Sequence, residues 1–157
     1  MFIEKTKTEV ITIDNEIKVV GLCLEKYGHP KNAGKIPEMW TFFDNNYRKK
    51  MRNVKDSDIG YWFWFNKPND DHDYLVGNAV TSFNDVDDEL TAFAIPAGRY
   101  IKDSFNAEDF GKLVDEVLQE RKGIVKQWAE ENNMKIIYMP PFVVTAIEVY
   151  PKKRIRI

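Results

Sequence analysis

The chain has 157 residues, a formal net charge of −2 and a single cysteine. At this length folding buries roughly 70% of the unfolded surface, so no disulfide or structural metal is needed to hold a core. The near-neutral balance excludes a global basic field for nucleic acid, and no stretch approaches the ~20 apolar residues of a membrane span.

The segments "EVITID" (9–14) and "IKVVGLCLEKYG" (17–28) read as two strands joined by the turn "DNE". Cys23 lies in the second, where an apolar setting suits inert core better than a nucleophile. After the loop 29–34, "KIPEMWTFFDNNYRKKMRN" (35–53) reads as a helix. Pro37 fits its first turn, and Ile36, Trp40, Phe43 and Tyr47 fall on one face. The run "IGYWFWFN" (59–66) alternates, with Tyr61, Phe63 and Phe65 on one side and Trp62 and Trp64 on the other. Large rings on both sides predict a strand covered on both. Were the Trp62 and Trp64 side open, it would form a patch suited to a homodimer or a protein partner. The segment 67–73 reads as a loop, "YLVGNAVTSF" (74–83) as a strand and "NDVDDE" (84–89) as an acidic loop.

The pattern then begins again. "LTAFAI" (90–95) and "RYIKDSF" (99–105) read as strands around "PAG" (96–98). Asn106 is an N-cap candidate for a long amphipathic helix over 107–133, whose stripe includes Ile124, Val125 and Trp128. "MKIIYM" (134–139) reads as a short strand and "PPFVVTAIEVY" (140–150) as the last one. The basic tail "KKRIRI" (152–157) reads as a solvated terminus. The order strand, strand, helix, strand, strand thus occurs twice, over about 8–83 and 88–151. It predicts a single α+β domain over 1–157, with an antiparallel sheet and helices on one face. A charged N-terminus without an apolar signal segment and a lone cysteine lead to a cytoplasmic expectation.

Few residues offer chemistry. His29 and His72 lie in predicted loops, and one cysteine makes no His/Cys cluster for zinc. The acidic loops lack the glycine and spaced carboxylates of a calcium loop. No phosphate-binding glycine loop, nucleophile elbow or basic helix-turn-helix segment is present. The sequence therefore leads us to expect no metal, no cofactor, no direct nucleic-acid contact and no membrane contact. Glu148 stands apart, a carboxylate within "VVTAIEVY" (143–150). Ala146, Glu148 and Tyr150 share one side of that strand. That side either meets solvent or lines a cavity, where an uncompensated carboxylate costs several kcal/mol.

Three stretches resemble the GyrI-like effector-binding family, which includes the ligand domains of AraC- and MerR-type drug-responsive regulators. They are "EVITIDNEIKVVGL", "DYLVGNAVTS" with Asp73 in place of the usual aromatic, and "LTAFAIPAGRYIKDSF" followed by a helix and "AIEVY". The resemblance implies two pseudo-symmetric strand–strand–helix–strand units forming a curved antiparallel sheet, with two helices on one face and a ligand pocket between the halves. It implies a stand-alone binder of lipophilic, cationic or planar aromatic compounds, since no DNA-binding domain is attached. Trp40, Tyr61, Phe63, Tyr74, Glu148 and Tyr150 are the expected ligand-binding residues. A second implied function is a hydrolase of electrophilic, cyclopropane-containing toxins. Glu148 would then be the base and Tyr150 or Tyr61 the donor to the leaving oxygen. A third is a protein-binding module such as a gyrase-type inhibitor. The "GYWFWF" strand is bulkier than the family's usual segment, which predicts a narrower or flatter pocket.

Overall fold

A computed structural model describes residues 7–57, 59–67, 71–106, 118–135, 145–148 and 154–156, with side chains outside that description at 106, 118, 145–148 and 154–156. In chain order the elements are β1 (Lys7–Ile13), β2 (Ile17–Cys23), α1 (Leu24–Tyr27), a 3₁₀ turn (Ala33–Lys35), α2 (Ile36–Asn46), β3 (Ile59–Asn66) and β4 (His72–Ala79). They continue with β5 (Thr91–Ile95), β6 (Gly98–Asn106), α3 (Leu118–Glu131), β7 (Thr145–Glu148) and β8 (Arg154–Arg156).

All eight strands join one antiparallel sheet in the order β1-β6-β8-β7-β3-β4-β2-β5. Exchanging β1 with β5, β2 with β6, β3 with β7 and β4 with β8 turns this order into its own reverse. The doubled pattern in the sequence is therefore a pseudo-twofold in space. Its axis passes between β3 and β7, where Ile59 pairs with Glu148, Gly60 with Ile147, Tyr61 with Ala146 and Trp62 with Thr145. Strands adjacent in sequence do not pair at the ends: β1 pairs with β6, and β2 with β5. Between β5 and β6 the chain has only residues 96 and 97, yet the two strands stand six places apart in the sheet. Six spacings in a flat sheet come to roughly 29 Å, whereas so short a link spans about 10 Å. The sheet must curve to bring its two ends together, and the short link between β1 and β2 imposes the same bend.

One face carries α2 and α3. Met39 and Phe43 of α2 pack onto Val20, Leu22, Trp62, Tyr74, Val76 and Phe105. On the same face α3 is clamped to β6, where Arg121 donates from Nε and Nη2 to the two oxygens of Asp103 at 2.7 and 2.6 Å. Its guanidinium lies 5.9 Å from the Phe105 ring centre. The opposite face holds a second cluster of Val19, Cys23, Phe63, Phe65, Leu75 and Ile95.

The Trp62 side of β3 is covered by the helices, as its rings led us to expect, with Trp62 only 5% exposed, so it forms no open patch. Three expectations need correction. His72 and Asp73 belong to β4, because pairing with Asn66 and Phe65 extends the ladder into the acidic run. Residues 24–27, read as strand, form α1, whose first turn is capped by the Asp73 carboxylate accepting from the Glu25 amide at 3.3 Å. The basic tail is not wholly a free terminus. Arg154–Arg156 forms β8 between β6 and β7, and the second half therefore extends beyond residue 151. Met134 and Lys135 are irregular, while the remainder of the expected strand over 134–139 lies outside the described residues, as do 140–144, 149–150 and 107–117.

Candidate functional site

Trp40 projects from α2 onto the sheet at Gly60, the β3 residue paired with Ile147 across the pseudo-twofold. A side-chain carbon added at Gly60 would lie 3.2 Å from Trp40 Cη2, so glycine leaves the room the indole occupies. Trp62, two residues along the strand, meets Trp40 edge-on with ring centres 5.5 Å apart and planes at 90°. Trp64 meets Tyr74 in the same manner at 5.1 Å and 70°. Edge-to-face contacts of this kind suit the quadrupoles of the rings. The midline of the helix-bearing face is thus an aromatic row.

Two buried polar atoms in this region, Trp40 Nε1 and Asn78 Oδ1, have no hydrogen-bond partner among the described residues. Asn78 is 1% exposed and uses its Nδ2 to donate to the Ile59 carbonyl at 2.8 Å. The indole and the carboxamide thus both meet the Ile59–Gly60 stretch on the helix-bearing side. Sequence reasoning missed Asn78. The signal was available: a lone amide inside the apolar run "YLVGNAV" poses the same question as Glu148.

The six sequence-derived site residues do not all meet. Trp40 and Tyr74 lie on the helix-bearing face. Tyr61 and Phe63 lie on the opposite face, where Phe63 is 2% exposed and Phe93 packs against it at 5.2 Å between ring centres. Glu148 ends β7, in register with Ile59 of β3 and Arg154 of β8; its side chain lies outside the described residues, and so does Tyr150. Burial raises the Tyr74 phenol above its ordinary range.

A cleft of about 540 Å³ opens elsewhere on the helix-bearing side, between the end of α2 and the loop 82–90. Val20, Phe42, Met51 and Leu90 are among the residues lining it, with Arg52 and Asp85 beside them. Its polar groups answer one another. Tyr47 donates its hydroxyl to Glu89, which pushes the phenol up to about 12, and Arg52 pairs with Asp85 at 3.9 Å. Lys50 and Asp87 line it as well, and none of its lining residues belongs to β3 or β7. None of the six residues lines it.

The remaining titratable groups have structural roles. The Cys23 thiol is buried, shares a 3.2 Å hydrogen bond with Thr91 Oγ1 and is raised by its burial. His72 packs tilted against Trp64 at 5.4 Å between ring centres, and His29 against Tyr27 at 5.3 Å. Among the described residues no three His, Cys, Asp or Glu side chains gather where they could hold a metal ion. No helix among them is long and apolar enough to cross a membrane.

Comparison with known proteins bears on this geometry. A family model described as the integron-associated effector binding protein matches residues 10–156. Among solved structures, an integron cassette protein from the mobile metagenome of Vibrio cholerae is similar at 14% identity, covering 99% of this chain and 94% of that one, with a TM-score of 0.47. No curated protein matches the chain.

Proposed function

Because the chain belongs to the integron-associated effector binding protein family, a GyrI-like effector-binding family, we propose that it binds lipophilic, cationic or planar aromatic compounds at the midline between its two halves. The observation that carries this reading is the placing of Trp40 across Gly60, beside the β3–β7 pairing. An indole held by an edge-on neighbour offers a face for stacking or for a cation, worth ~0.5–2 kcal/mol per ring contact. Glu148, expected from the sequence to supply a negative charge, pairs with Ile59, which shares the Tyr61 side of β3 and not the Trp40 side, so the ring contacts carry this reading. Adaptable apolar contacts accept a range of shapes.

Thermal unfolding with the cation 2-naphthyltrimethylammonium and with neutral naphthalene tests this. At a hundredfold excess over Kd, a ligand specific to the native state adds about 2.7 kcal/mol, which reads as a saturable rise in Tm. Trp40→Ala should weaken both probes, and Trp40→Phe, which keeps a ring, should weaken them less. A chain whose Tm responds saturably to neither probe does not have this function.

A further inference from the structure

The cleft beside Tyr47 has two walls of opposite charge. Lys50 and Arg52 stand on the stretch that follows α2, and Asp85, Asp87 and Glu89 on the facing loop. The two segments run antiparallel and are tied across the gap. Tyr47 donates to Glu89, Arg52 pairs with Asp85, and Asn53 Nδ2 donates to the Asn84 carbonyl at 3.1 Å. The gap is therefore held open and shaped before any ligand arrives. Between these ties each wall keeps one charge without a counter-ion. The Lys50 ammonium makes no ion pair among the described residues. Asp87 accepts from the Glu89 amide at 2.9 Å through Oδ1 and meets no cation among them. Beside these charges the lining is apolar: Val20 and Leu90 are buried, Met51 is half-buried, and Phe42, 39% exposed, packs 6.0 Å from the Tyr47 ring centre.

We propose that this cleft is a second site, separate from the midline, for a free α-amino acid with a large apolar side chain. The ligand carboxylate meets Lys50, its ammonium meets Asp87, and its side chain lies on the apolar lining beside Phe42. Charge complementarity decides the class. A cation drawn to the acidic loop also faces Lys50 and Arg52, and an anion faces the reverse. Only a ligand carrying both charges gains at both walls, and a neutral one strips water from the charges without replacing it. The walls approach to 3.9 Å at Arg52 and Asp85, so both charges must sit on one short head group, as ammonium and carboxylate do on a single carbon. That pair is exposed and therefore weak, and it yields to a ligand at little cost. The volume of about 540 Å³ lies within the roughly 300–1,000 Å³ of small-molecule sites.

The test uses three probes that share a phenyl ring. At pH 7 L-phenylalanine carries both charges, 2-phenylethylamine only the positive one and 3-phenylpropanoate only the negative one. Dissociation constants are measured on the native chain from amide proton–nitrogen shifts. L-Phenylalanine should bind about tenfold more tightly than either analogue, the gain expected of one hydrogen bond to a charged group. The signals that move should be those of the loop 82–90, with the indole signals still. Lys50→Gln should abolish the advantage over 2-phenylethylamine, and Asp87→Asn the advantage over 3-phenylpropanoate. Both side chains are exposed, and asparagine keeps an acceptor for the Glu89 amide, so both variants fold. The site is overturned if L-phenylalanine does not bind or binds no more tightly than its analogues. It is overturned equally if both variants keep the full preference, or if the indole signals move in place of the loop. The midline reading stands or falls on its own probes.

Discussion

Cys23 and Tyr47 show how single environments set chemistry. Cys23 is 3% exposed, and burial raises its thiol, so the thiolate that would react is suppressed. Ellman's reagent at pH 8 should leave the native chain unlabelled and release one equivalent once the chain is denatured; prompt native labelling would contradict the burial. The Tyr47 phenol is raised as well, by a hydrogen bond to a carboxylate first and by burial second. Its bond to Glu89 lifts the folded phenol from 10.0 to about 12. Below pH 10 both folded and unfolded chains keep the proton, and the stabilisation is whole. Between 10 and 12 the unfolded chain releases it first, so stability falls as pH rises. Tyr47→Phe should flatten the dependence of Tm on pH across that window. At Gly60 the added methyl of Gly60→Ala would meet Trp40 at 3.2 Å. The fold should survive a small shift of the ring while binding of naphthalene weakens.

At the scale of elements, two devices hold the sheet and its helices. Gly21 and Gly77 face each other across β2 and β4. A carbon added at Gly21 would lie 1.9 Å from the Val76 carbonyl oxygen, and one at Gly77 2.1 Å from that of Val20. Backbone cannot yield as a side chain does, so Gly77→Ala should cost about 3 kcal/mol, read as a lower urea midpoint. The Arg121–Asp103 clamp, joined by Thr8 Oγ1 at 2.8 Å, holds α3 against β6. Arg121→Met would strand a carboxylate that is 1% exposed, a loss of about 3–5 kcal/mol. The elements themselves were largely legible. The alternation in "IGYWFWFN" marked β3 at both ends, and Pro37 marked the start of α2. What was hidden depends on partners far away in sequence. The charges of "KKRIRI" suggest a solvated tail, and only the gap between β6 and β7 makes a strand of Arg154–Arg156. Alternation likewise divides Trp62 from Phe63 without saying which side α2 covers.

For the whole molecule, the palindromic strand order explains why a doubled pattern with little internal identity is nonetheless a symmetric object. What repeats is the placing of strands and helices, and that tolerates wide change in side chains. The symmetry singles out one place, the β3–β7 midline, where the two units meet. Sequence reasoning reached the aromatic character of this place through Trp40 but grouped it with Tyr61 and Phe63, which lie across the sheet. It also passed over Asn78, although an amide inside the apolar run "YLVGNAV" marks it as clearly as the carboxylate of Glu148. The most direct test is a proton–nitrogen correlation spectrum of the four indole N–H groups during titration with 2-naphthyltrimethylammonium. The signal that disappears in Trp40→Phe should be the one that moves furthest, saturating with the bound fraction. If that signal stays still at saturation while resonances from the 82–90 loop move, the ligand sits in the groove beside Tyr47 and the midline account is wrong.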